Sequence, residues 1–500
     1  HRGHQLGDGE VTEFADVVVA RHPSRTEWRV EGHLQGRRAL RRDRQSDPPR
    51  ALRHGAPRTD GASGHEDEGD HVRRSPRRTG GFDSRASPRP ARRTRRRLCV
   101  SVLGSGRVPE WSEHPTGWRK LRRSLLMRTP RTIEAIIGEI DAVSSELDAQ
   151  AAPSEALGTA TPELVEIMRR LRVPMIKAPV EVGGDHLHLA DQLAFFERLS
   201  YWNPTAAWTG FNHAGAGGIA GAMLGEAGVK ELFANDASPF MAAVSAPSGT
   251  FTPVDGGIVL DGRWKYASGV PHSEWILLTA LGNGVPEVKI GIVHRSNFTV
   301  SGEWNVIALR GTGSIDVVVA KAFVPDHLAF APGDPIRRGG TMYALGYQGY
   351  VAPENLGFTF GVCQRFVDEI VKYSQGKARG LDGRLADRGA FKYELGKAQL
   401  QIEAARGYAR DEFRTVDDLI RSGATPGSSV TARLGGVIAY ATDSAVGAVT
   451  SLFHFAGAGA LFESSTLQRC FRDAVGSHQH LMASNVAYDR RGEHMLAGAC

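Results

Sequence analysis

Apolar residues recur at three- and four-residue intervals over residues 127–236. The segments TIEAIIGEIDAVSSELDAQA, TPELVEIMRRLRVPMI, HLADQLAFFERLSYW and AGVKELFAND all have this spacing, which is typical of helices with one buried face. Thr161-Pro162-Glu163 is a favourable helix start, because threonine caps the first turn and proline fits its first position. We therefore expect an α-helical N-terminal domain over residues 127–236.

The pattern becomes shorter over residues 237–345. The segments GGIVLDGRWKYASG, EWILLTAL, EVKIGIVHR, FTVSGEW and SIDVVVAKAFVP are rich in β-branched and aromatic residues and are separated by turn residues, which predicts a β domain. Long amphipathic segments return after Pro353 and suit an antiparallel helical bundle over residues 346–490, followed by a tail over residues 491–500. The predicted fold class is mainly α with a β middle domain.

The net charge of +6 is unevenly distributed. Residues 1–126 contain 28 basic and 16 acidic residues, a net charge of +12, so the remaining chain has a net charge of −6. The same segment lacks Ile, Asn, Tyr and Met. This composition favours GC-rich DNA translated outside a genuine reading frame, upstream of a start at Met127. The alternative is a disordered Arg-rich tail that binds nucleic acid or acidic partners through runs such as ARRTRRRL; a folded domain is the least favoured interpretation.

Cysteine usage and hydropathy indicate a cytoplasmic enzyme. The four cysteines, Cys99, Cys363, Cys470 and Cys500, have spacings that fit neither a zinc site nor a disulfide framework. No metal site is predicted, and HEDEGDH over residues 65–71 is interpreted as solvated charge. We find no run of about 18 apolar residues and no secretory leader, so no membrane segment is expected.

Three motifs, in the expected order, resemble the acyl-CoA dehydrogenase superfamily. Arg388-Gly-Ala-Phe391 with Leu395 and Gln399 is similar to its RxxF…L…Q helix. LDGRWKYASGVPHSEWILLTA is similar to its β-domain motif LNGxKxxITNG…ADWxLV, and AGAGALFESSTLQRCFRD to its GGxGYxxExPxxRxxRD. The resemblance covers residues 130–490. It implies a helical N-terminal domain, a β-barrel or sandwich and a C-terminal four-helix bundle.

Two departures argue against an ordinary dehydrogenase. In medium-chain dehydrogenases of this family, the base is a Glu nine positions after the Arg of the RD pair, but that offset from Arg472 falls on Leu481. No carboxylate occurs between Val475 and Asn485. The segment AAVSAPSGTF also stands where a dehydrogenase has an acidic TEPxxGSD loop. Because some dehydrogenases carry the base on another helix, a dehydrogenase with a displaced base stays an alternative.

The sequence more closely resembles the flavin-dependent monooxygenase branch of this superfamily, the oxygenase components of two-component phenol hydroxylases. Its members carry a Ser-x-x-x-His-x-x-Trp-like segment, an LRGTGS strand and a His eight positions after the RD arginine. Here these features are Ser268 to Trp275, residues 309–314, and His480. The resemblance implies hydroxylation of an aromatic or phenolic small molecule through a flavin C4a-hydroperoxide, with reduced flavin (FMNH2 or FADH2) and O2. A flavin-dependent N-hydroxylase or nitrososynthase is the other alternative within the fold.

The resemblance also implies roles for individual residues. His480 would act on the substrate phenol, since an imidazole with a pKa of about 6.5 suits proton transfer. Ser268 would hydrogen-bond flavin N5 near the reacting oxygen. The implied catalytic residues are His480, Ser268 and His213, and the implied flavin contacts are Ser268, Ser245, Arg310, Thr312, Arg388 and Gln399, the last two reaching a neighbouring subunit's site. His478 lies on another helical face, and His272 is expected to orient a loop.

A glycine-rich stretch raises the question of nicotinamide binding. Residues 215–220, GAGGIA, match a dinucleotide fingerprint in form, but no strand precedes them, so we interpret them as close helix packing. The sequence therefore predicts no nicotinamide-binding domain. A separate flavin reductase is the expected partner, the resemblance implies a homotetramer, and neither membrane nor nucleic-acid binding is expected.

Overall fold

The computed structural model describes residues 129–234, 237–378 and 383–498. The predictions for residues 1–126, including HEDEGDH, and those for Cys99 and Cys500 lie outside the described residues. Within these residues, seven α-helices precede the sheet: α1 Ile133–Ala142, α2 Ser144–Ala149, α3 Ala151–Leu157, α4 Pro162–Arg170, α5 Leu189–Trp202, α6 Pro204–Met223 and α7 Glu226–Phe233. As predicted, Thr161 caps α4, and its hydroxyl accepts a hydrogen bond from the backbone N–H of Leu164 at 3.1 Å.

A seven-stranded mixed sheet follows. Its strands are β1 Met241–Val254, β2 Gly257–Ala267, β3 Trp275–Gly282, β4 Val288–His294, β5 Thr299–Ser301, β6 Ile315–Pro325 and β7 Ala329–Phe330, in the order β5-β6-β2-β1-β3-β4-β7. β1 and β3 pair in parallel, and the register shifts between Val244 and Gly249. Gly249 is required there, because a Cβ would lie 2.1 Å from the Trp264 indole. Residues 245–248 therefore form an irregular bulge at this point of β1.

Five helices complete the described chain: α8 Gly346–Gly376, α9 Gly389–Arg421, α10 Ser428–Ala456, α11 Thr466–Ser477 and α12 Val486–Leu496. The sequence predicted that the helical pattern returns after Pro353, but α8 begins at Gly346 and contains Pro353. Residues 349–363 of α8 are all buried, so tertiary packing outweighs the lost backbone hydrogen bond of the proline.

Judged by length and composition alone, one described helix, α10, could cross a membrane. The sequence analysis predicted no such segment. About two thirds of its most apolar stretch, 67%, is buried against the rest of the protein. This burial is what a core helix of a helical bundle requires.

Two apolar clusters form the core, one among the helices and one within the sheet. Helix α6 contributes to both, since Trp208 and Phe211 belong to the helical cluster and Ala216 and Ala220 to the sheet cluster. As expected, the GAGGIA glycines lie inside α6 and permit close packing; a Cβ on Gly217 would lie 2.8 Å from the Pro174 carbonyl oxygen. The predicted fold class, mainly α with a β middle domain, is confirmed.

Candidate active site

One face of α6 is partly exposed, and we call the surface along it the cleft. This 20-residue helix is buried except at Asn212, Gly215 and Ile219. These positions are spaced three and four residues apart, so they lie on one face of the helix. Ser245 in the β1 bulge and Tyr347 near the start of α8 are also exposed. A partly exposed stripe on an otherwise buried central helix is a candidate surface for ligand binding.

Asn212, which sequence reasoning did not single out, joins two strands at this cleft. Its carboxamide nitrogen donates to the backbone carbonyl of Ser268 at 3.1 Å, and its oxygen accepts from the backbone N–H of Ala243 at 2.8 Å. The side chain thereby fixes the end of β2 and the start of β1 against α6. The sequence signal for Asn212 was its position four residues after Trp208, which places both side chains on the same face of a helix.

A chain of buried hydroxyls ends at Ser268. Thr312 Oγ1 lies 2.7 Å from Ser314 Oγ, which lies 2.8 Å from Ser268 Oγ. Ser268 Oγ also accepts a hydrogen bond from the indole N–H of Trp208 at 3.2 Å. A hydroxyl has one donor and two acceptor sites. If Thr312 donates to Ser314 and Ser314 to Ser268, the O–H of Ser268 is left to donate to a ligand.

His480 lies between two aromatic rings of α6. The ring centroids of Trp208 and Phe211 are 5.6 Å and 5.7 Å from that of His480, both edge to face. Nδ1 accepts a long hydrogen bond, 3.4 Å, from the backbone N–H of Met482. In the neutral ring, Nε2 therefore carries the proton, and within the described residues it has no hydrogen-bond partner. Burial lowers the pKa of His480 to about 4, so the ring is neutral near pH 7.

The position of His480 follows from the end of α11. Ser477, the last residue of the helix, accepts a hydrogen bond from the Thr359 hydroxyl of α8 at 3.0 Å. His478 points to another side, where its Nε2 lies 2.6 Å from Asp443. Tyr488 donates to the second oxygen of the same carboxylate at 2.7 Å. His478 thus connects α11 to α10 and α12 and leaves His480 to face the cleft.

His213 and His272 form a closed pair behind Ser268. Nδ1 of His213 lies 2.9 Å from the Met241 carbonyl oxygen, which can only accept, so Nδ1 carries the proton. Nε2 of His213 then accepts from Nε2–H of His272, also at 2.9 Å. Burial lowers the pKa of His213 to about 4, and burial together with His213 lowers the pKa of His272 well below its usual value. Both rings are therefore neutral.

The pair supports the turn that carries Ser268. Gly269 has a positive φ of 75°, and a Cβ there would lie 2.8 Å from the His213 ring. Since both His213 nitrogens have protein partners, its geometry favours support of this turn; its predicted catalytic role stays a prediction. His272 was expected from the sequence to orient a loop, and it lies in this pair beside the turn at Gly269.

The LRGTGS segment is bound to α11 by the RD pair. The Asp473 carboxylate accepts from the backbone N–H of Leu309 at 2.7 Å, and Arg472 donates to the Ile307 carbonyl at 2.6 Å. Burial raises the pKa of Asp473 to about 6, although the hydrogen bond from Leu309 opposes the shift. The hexapeptide and the helix leading to His480 are therefore one connected unit, a relation that spacing alone does not reveal.

The remaining predicted flavin contacts occupy different places. Arg310 lies half exposed beside Glu155 and Glu463, with nitrogen–oxygen distances of 3.9 Å and 3.6 Å. Arg388 precedes α9, and the carboxamide of Gln399 donates to Glu403 at 2.8 Å. Ser245 lies beside Tyr347 at the cleft. Because Arg388 and Gln399 were predicted to reach a neighbouring subunit's site, their roles stay predictions.

The cleft residues fit a flavin ring. Trp208 and Phe211 provide apolar aromatic groups beside His480, and the completely buried Phe358 packs behind Trp208 with ring centroids 4.8 Å apart. Ser268 provides a neutral hydroxyl that can reverse its hydrogen bond, which suits the donor and acceptor atoms on a flavin's polar edge. Glycine at position 269 keeps the backbone beside that hydroxyl free of a side chain.

Comparisons with known proteins agree with this architecture. Residues 357–485 match the family described as acyl-CoA dehydrogenase, C-terminal domain. The pigment production hydroxylase of Rhodococcus erythropolis is 26% identical over 364 residues, which cover 69% of this chain and 92% of that protein. The oxygenase subunit HsaA of a flavin-dependent monooxygenase from Mycobacterium tuberculosis is 26% identical over 380 residues, covering 70% of this chain and 92% of the subunit.

A similar solved structure is that of XiaF from Streptomyces sp., in complex with FADH2 and glycerol. It has 22% sequence identity and a TM-score of 0.67, and the match covers 76% of this chain and 98% of XiaF. The chain has the acyl-CoA dehydrogenase fold, as the sequence predicted. Within that fold it is a flavin-dependent monooxygenase, and the predicted resemblance to this branch is confirmed.

Proposed function

We propose that this monooxygenase hydroxylates a phenolic small molecule in the cleft along α6, and that the Nε2–H of His480 donates a hydrogen bond to the phenol oxygen. The observation that carries this role is a neutral imidazole whose Nδ1 is occupied by Met482 and whose Nε2 has no partner among the described residues. The proposal refines the predicted action of His480 on the substrate. In this tautomer Nε2 already carries a proton. It can therefore donate a hydrogen bond to the substrate but cannot accept a proton from it.

A donor at this point favours the ionised substrate. A hydrogen bond to a charged oxygen is roughly twice as strong as one to a neutral oxygen, so Nε2–H stabilises the phenolate more than the phenol and lowers the phenol pKa. The phenolate ring carbon is then a better nucleophile. Bound reduced flavin, with O2, supplies the electrophilic oxygen atom that this carbon requires.

The residues around His480 suit a reaction that must exclude water. Trp208, Phe211 and Phe358 form an aromatic wall in which Trp208 and Phe358 are nearly or fully buried. Premature release of oxygen as peroxide is the side reaction that such a wall limits. Ser268 would hold the polar edge of the flavin through its free O–H, with Thr312 and Ser314 setting the direction of the hydroxyl chain.

Several wider features belong to the same proposal. A reductase encoded separately would deliver FMNH2 or FADH2, which the description of HsaA as an oxygenase subunit supports. The assembly would be a homotetramer in the cytoplasm, in which Arg388 and Gln399 contact flavin bound at a neighbouring subunit. Ser245 and Arg310 would contact the flavin from the β domain.

The test is oxygen incorporation. The protein is mixed anaerobically with photoreduced FMN or FAD and a panel of phenols and amines and is then exposed to 18O2. Products are analysed by mass spectrometry and released H2O2 is measured. We expect one 18O atom in a ring hydroxyl group. Incorporation into amines alone would favour N-hydroxylation. Reduction of bound oxidised flavin by an acyl-CoA thioester, without incorporation, would establish a dehydrogenase and contradict the proposal.

A further inference from the structure

The hairpin formed by β1 and β2 is closed at its turn and open at its other end. The two strands pair over residues 250–254 of β1 and 257–261 of β2. Further from the turn, β1 pairs with β3 and β2 with β6. Continuing the hairpin register would place Ala243 opposite Ser268, but the described strands do not pair with each other there. An opening in the sheet therefore lies beside Ser268.

The carboxamide of Asn212 occupies this opening. Its oxygen accepts a hydrogen bond from the backbone N–H of Ala243 at 2.8 Å, and its nitrogen donates to the backbone carbonyl of Ser268 at 3.1 Å. A carboxamide has a carbonyl acceptor and N–H donors, so it bridges the two strands as a peptide unit of an intervening strand would. It thereby satisfies two backbone groups that the open hairpin leaves without a strand partner.

The bridge determines how far apart the strands lie. Paired strands are about 4.8 Å apart, whereas two hydrogen bonds in series with a carboxamide between them require about twice this distance. The two sides of the opening carry the hydroxyls of Ser268 and of Ser245, which lies two residues after Ala243 in the β1 bulge. The separation of the strands therefore sets the distance between these two hydroxyls.

Ser268 is bound to α6 at two points, one helical turn apart. The Trp208 indole donates to its hydroxyl at 3.2 Å, and Asn212 donates to its carbonyl. Of these two side chains, Asn212 is the one that also hydrogen-bonds β1. Trp208 can orient the hydroxyl of Ser268, but Asn212 fixes the position of this residue relative to the opposite strand.

We propose that Asn212 is a positioning residue that holds β1 and β2 apart and thereby sets the distance between Ser245 and Ser268, the two hydroxyls that would bind the flavin. The inference rests on the proposed function, which assigns both hydroxyls to the flavin. The polar atoms of Asn212 are bound to backbone groups, so this residue acts through the strands and not by contact with the reacting atoms.

The experiment measures the Kd of photoreduced FMN and FAD by anaerobic titration calorimetry on the full chain, at pH 8 and at pH 5. Asn212→Ala removes both hydrogen bonds, and we expect it to bind flavin about tenfold more weakly than the wild type at both pH values, the equivalent of one lost hydrogen bond to the flavin. Asn212→Asp should be weakened at least as much at pH 8, because its carboxylate faces the Ser268 carbonyl without a donor.

Acid should rescue only the aspartate variant. A protonated carboxyl group has one O–H donor and one carbonyl acceptor, in nearly the shape of a carboxamide, so it restores both hydrogen bonds of Asn212. The ionised form faces the carbonyl oxygen of Ser268, and this raises the pKa of the new carboxyl group. The ratio of the variant Kd to the wild-type Kd should therefore fall to about threefold or less at pH 5. An unchanged ratio, or wild-type affinity at both pH values, would overturn the assignment.

The titratable side chains beside the opening are neutral in this range. Burial lowers the pKa of His213 to about 4 and, together with His213, lowers that of His272 well below its usual value. The pKa of Tyr347 is raised to about 12, chiefly by desolvation. More distant carboxyl groups, Glu354 and Asp473, have pKa values raised to about 7 and about 6 by burial. They titrate in the variant and the wild type alike, so the Kd ratio cancels their effect.

Asn203→Asp is the matched control, because it places the same substitution at the start of the same helix. The Asn203 carboxamide accepts from the backbone N–H of Ala206 at 2.8 Å and donates to the Leu147 carbonyl at 2.7 Å. Both contacts are with helices. This variant should lose stability in chemical denaturation but keep the wild-type flavin Kd within about twofold at both pH values. If it weakens flavin binding as much as Asn212→Asp does, the effect belongs to α6 as a whole and the inference is wrong.

Failure of this inference is distinguishable from failure of the proposed function. Hydroxylation of phenols by the wild type with 18O2 tests the proposed function alone. If the wild type hydroxylates a phenol but the Asn212 variants bind flavin as the wild type does, only the role of Asn212 is wrong. If the wild type hydroxylates no phenol, the proposed function itself fails. Should Asn212→Ala not fold, the pH dependence of Asn212→Asp decides, because that variant keeps the shape of the native side chain.

Discussion

The pair His213–His272 and the single ring of His480 are two imidazole sites at the α6 helix, the first formed around a residue of the helix and the second against its Trp208 and Phe211. Burial lowers the pKa of His213 and of His480 to about 4, so the two rings share the same charge state. Their hydrogen bonds differ: both nitrogens of His213 have protein partners, whereas Nε2 of His480 has none among the described residues. A perturbed pKa alone therefore does not separate a supporting histidine from a reacting one. The feature that separates the two kinds of histidine is a donor without a protein partner, the Nε2–H of His480, beside the cleft.

The largest expected effect is that of His480→Ala. Removing the donor should reduce hydroxylated product by about 100-fold or more, as for other groups that stabilise a developing or full negative charge. Flavin oxidation should continue, so released H2O2 should account for the consumed O2. Thermal unfolding should change little.

The control for that variant is His480→Gln, whose amide can place an N–H near the original Nε2. We expect it to recover part of the lost product. The proposed difference between the two histidine sites would be wrong if His480→Ala retained wild-type coupling of O2 consumption to product formation. It would also be wrong if His480→Gln formed no more product than His480→Ala.

His213→Ala should have the opposite profile. It removes two hydrogen bonds and leaves a cavity beneath Gly269, so the free energy of unfolding should fall by about 2–4 kcal/mol. Chemical denaturation measures this loss. A variant with wild-type stability but no hydroxylation would show instead that His213 is catalytic, as the sequence resemblance implied.

Acid should destabilise the histidine pair. Its folded pKa values lie below the unfolded value of about 6.5, so the unfolded chain binds more protons between about pH 6.5 and pH 4. The free energy of unfolding contributed by the pair is complete above pH 6.5 and is lost as the pH falls through this window. The nitrogen available to a further proton, Nδ1 of His272, is buried without a partner among the described residues.

The measurement for this dependence is the difference in unfolding free energy between the wild type and His272→Gln, recorded by denaturation from pH 7 to pH 4. The difference between the two proteins is used because it cancels the contribution of buried carboxylates. Burial raises the pKa of Glu354 to about 7, so its contribution to the free energy of unfolding changes with pH in the opposite direction. The wild type should lose up to about 1.4 kcal/mol per pH unit more than the variant. Parallel curves would contradict the geometry.

The smallest effect is expected for His478→Ala. The His478–Asp443 pair is partly exposed, and such pairs contribute less than about 1 kcal/mol. Hydroxylation should fall by no more than a few-fold, through slight movement of the turn that carries His480. Steady-state product assays check this; a loss as large as that of His480→Ala would mean that the two neighbouring histidines act together.

Much of the fold was predictable because periodicity reports burial directly. The helical spacing after Met127 and the cap at Thr161 lead to observed helices, and the family motifs order the domains. Pro353 shows the limit: the local pattern placed the start of a helix after the proline, whereas the helix begins at Gly346 and buried packing carries it through Pro353. In the site, the offset from the RD pair indicated His480, but no pattern could show that Asn212 spans two strands or that Lys177 and Glu354, 177 positions apart, form a buried pair. Such contacts depend on tertiary packing.

The central claim is that His480 donates a hydrogen bond that stabilises a bound phenolate. The direct measurement is a pH titration of 4-nitrophenol bound to the full chain, because its phenolate form is coloured. In the wild type, the pKa of the bound probe should be lower than in His480→Ala by about one unit or more, the equivalent of one charged hydrogen bond. An equal pKa in the two proteins, or a higher one in the wild type, would contradict this account.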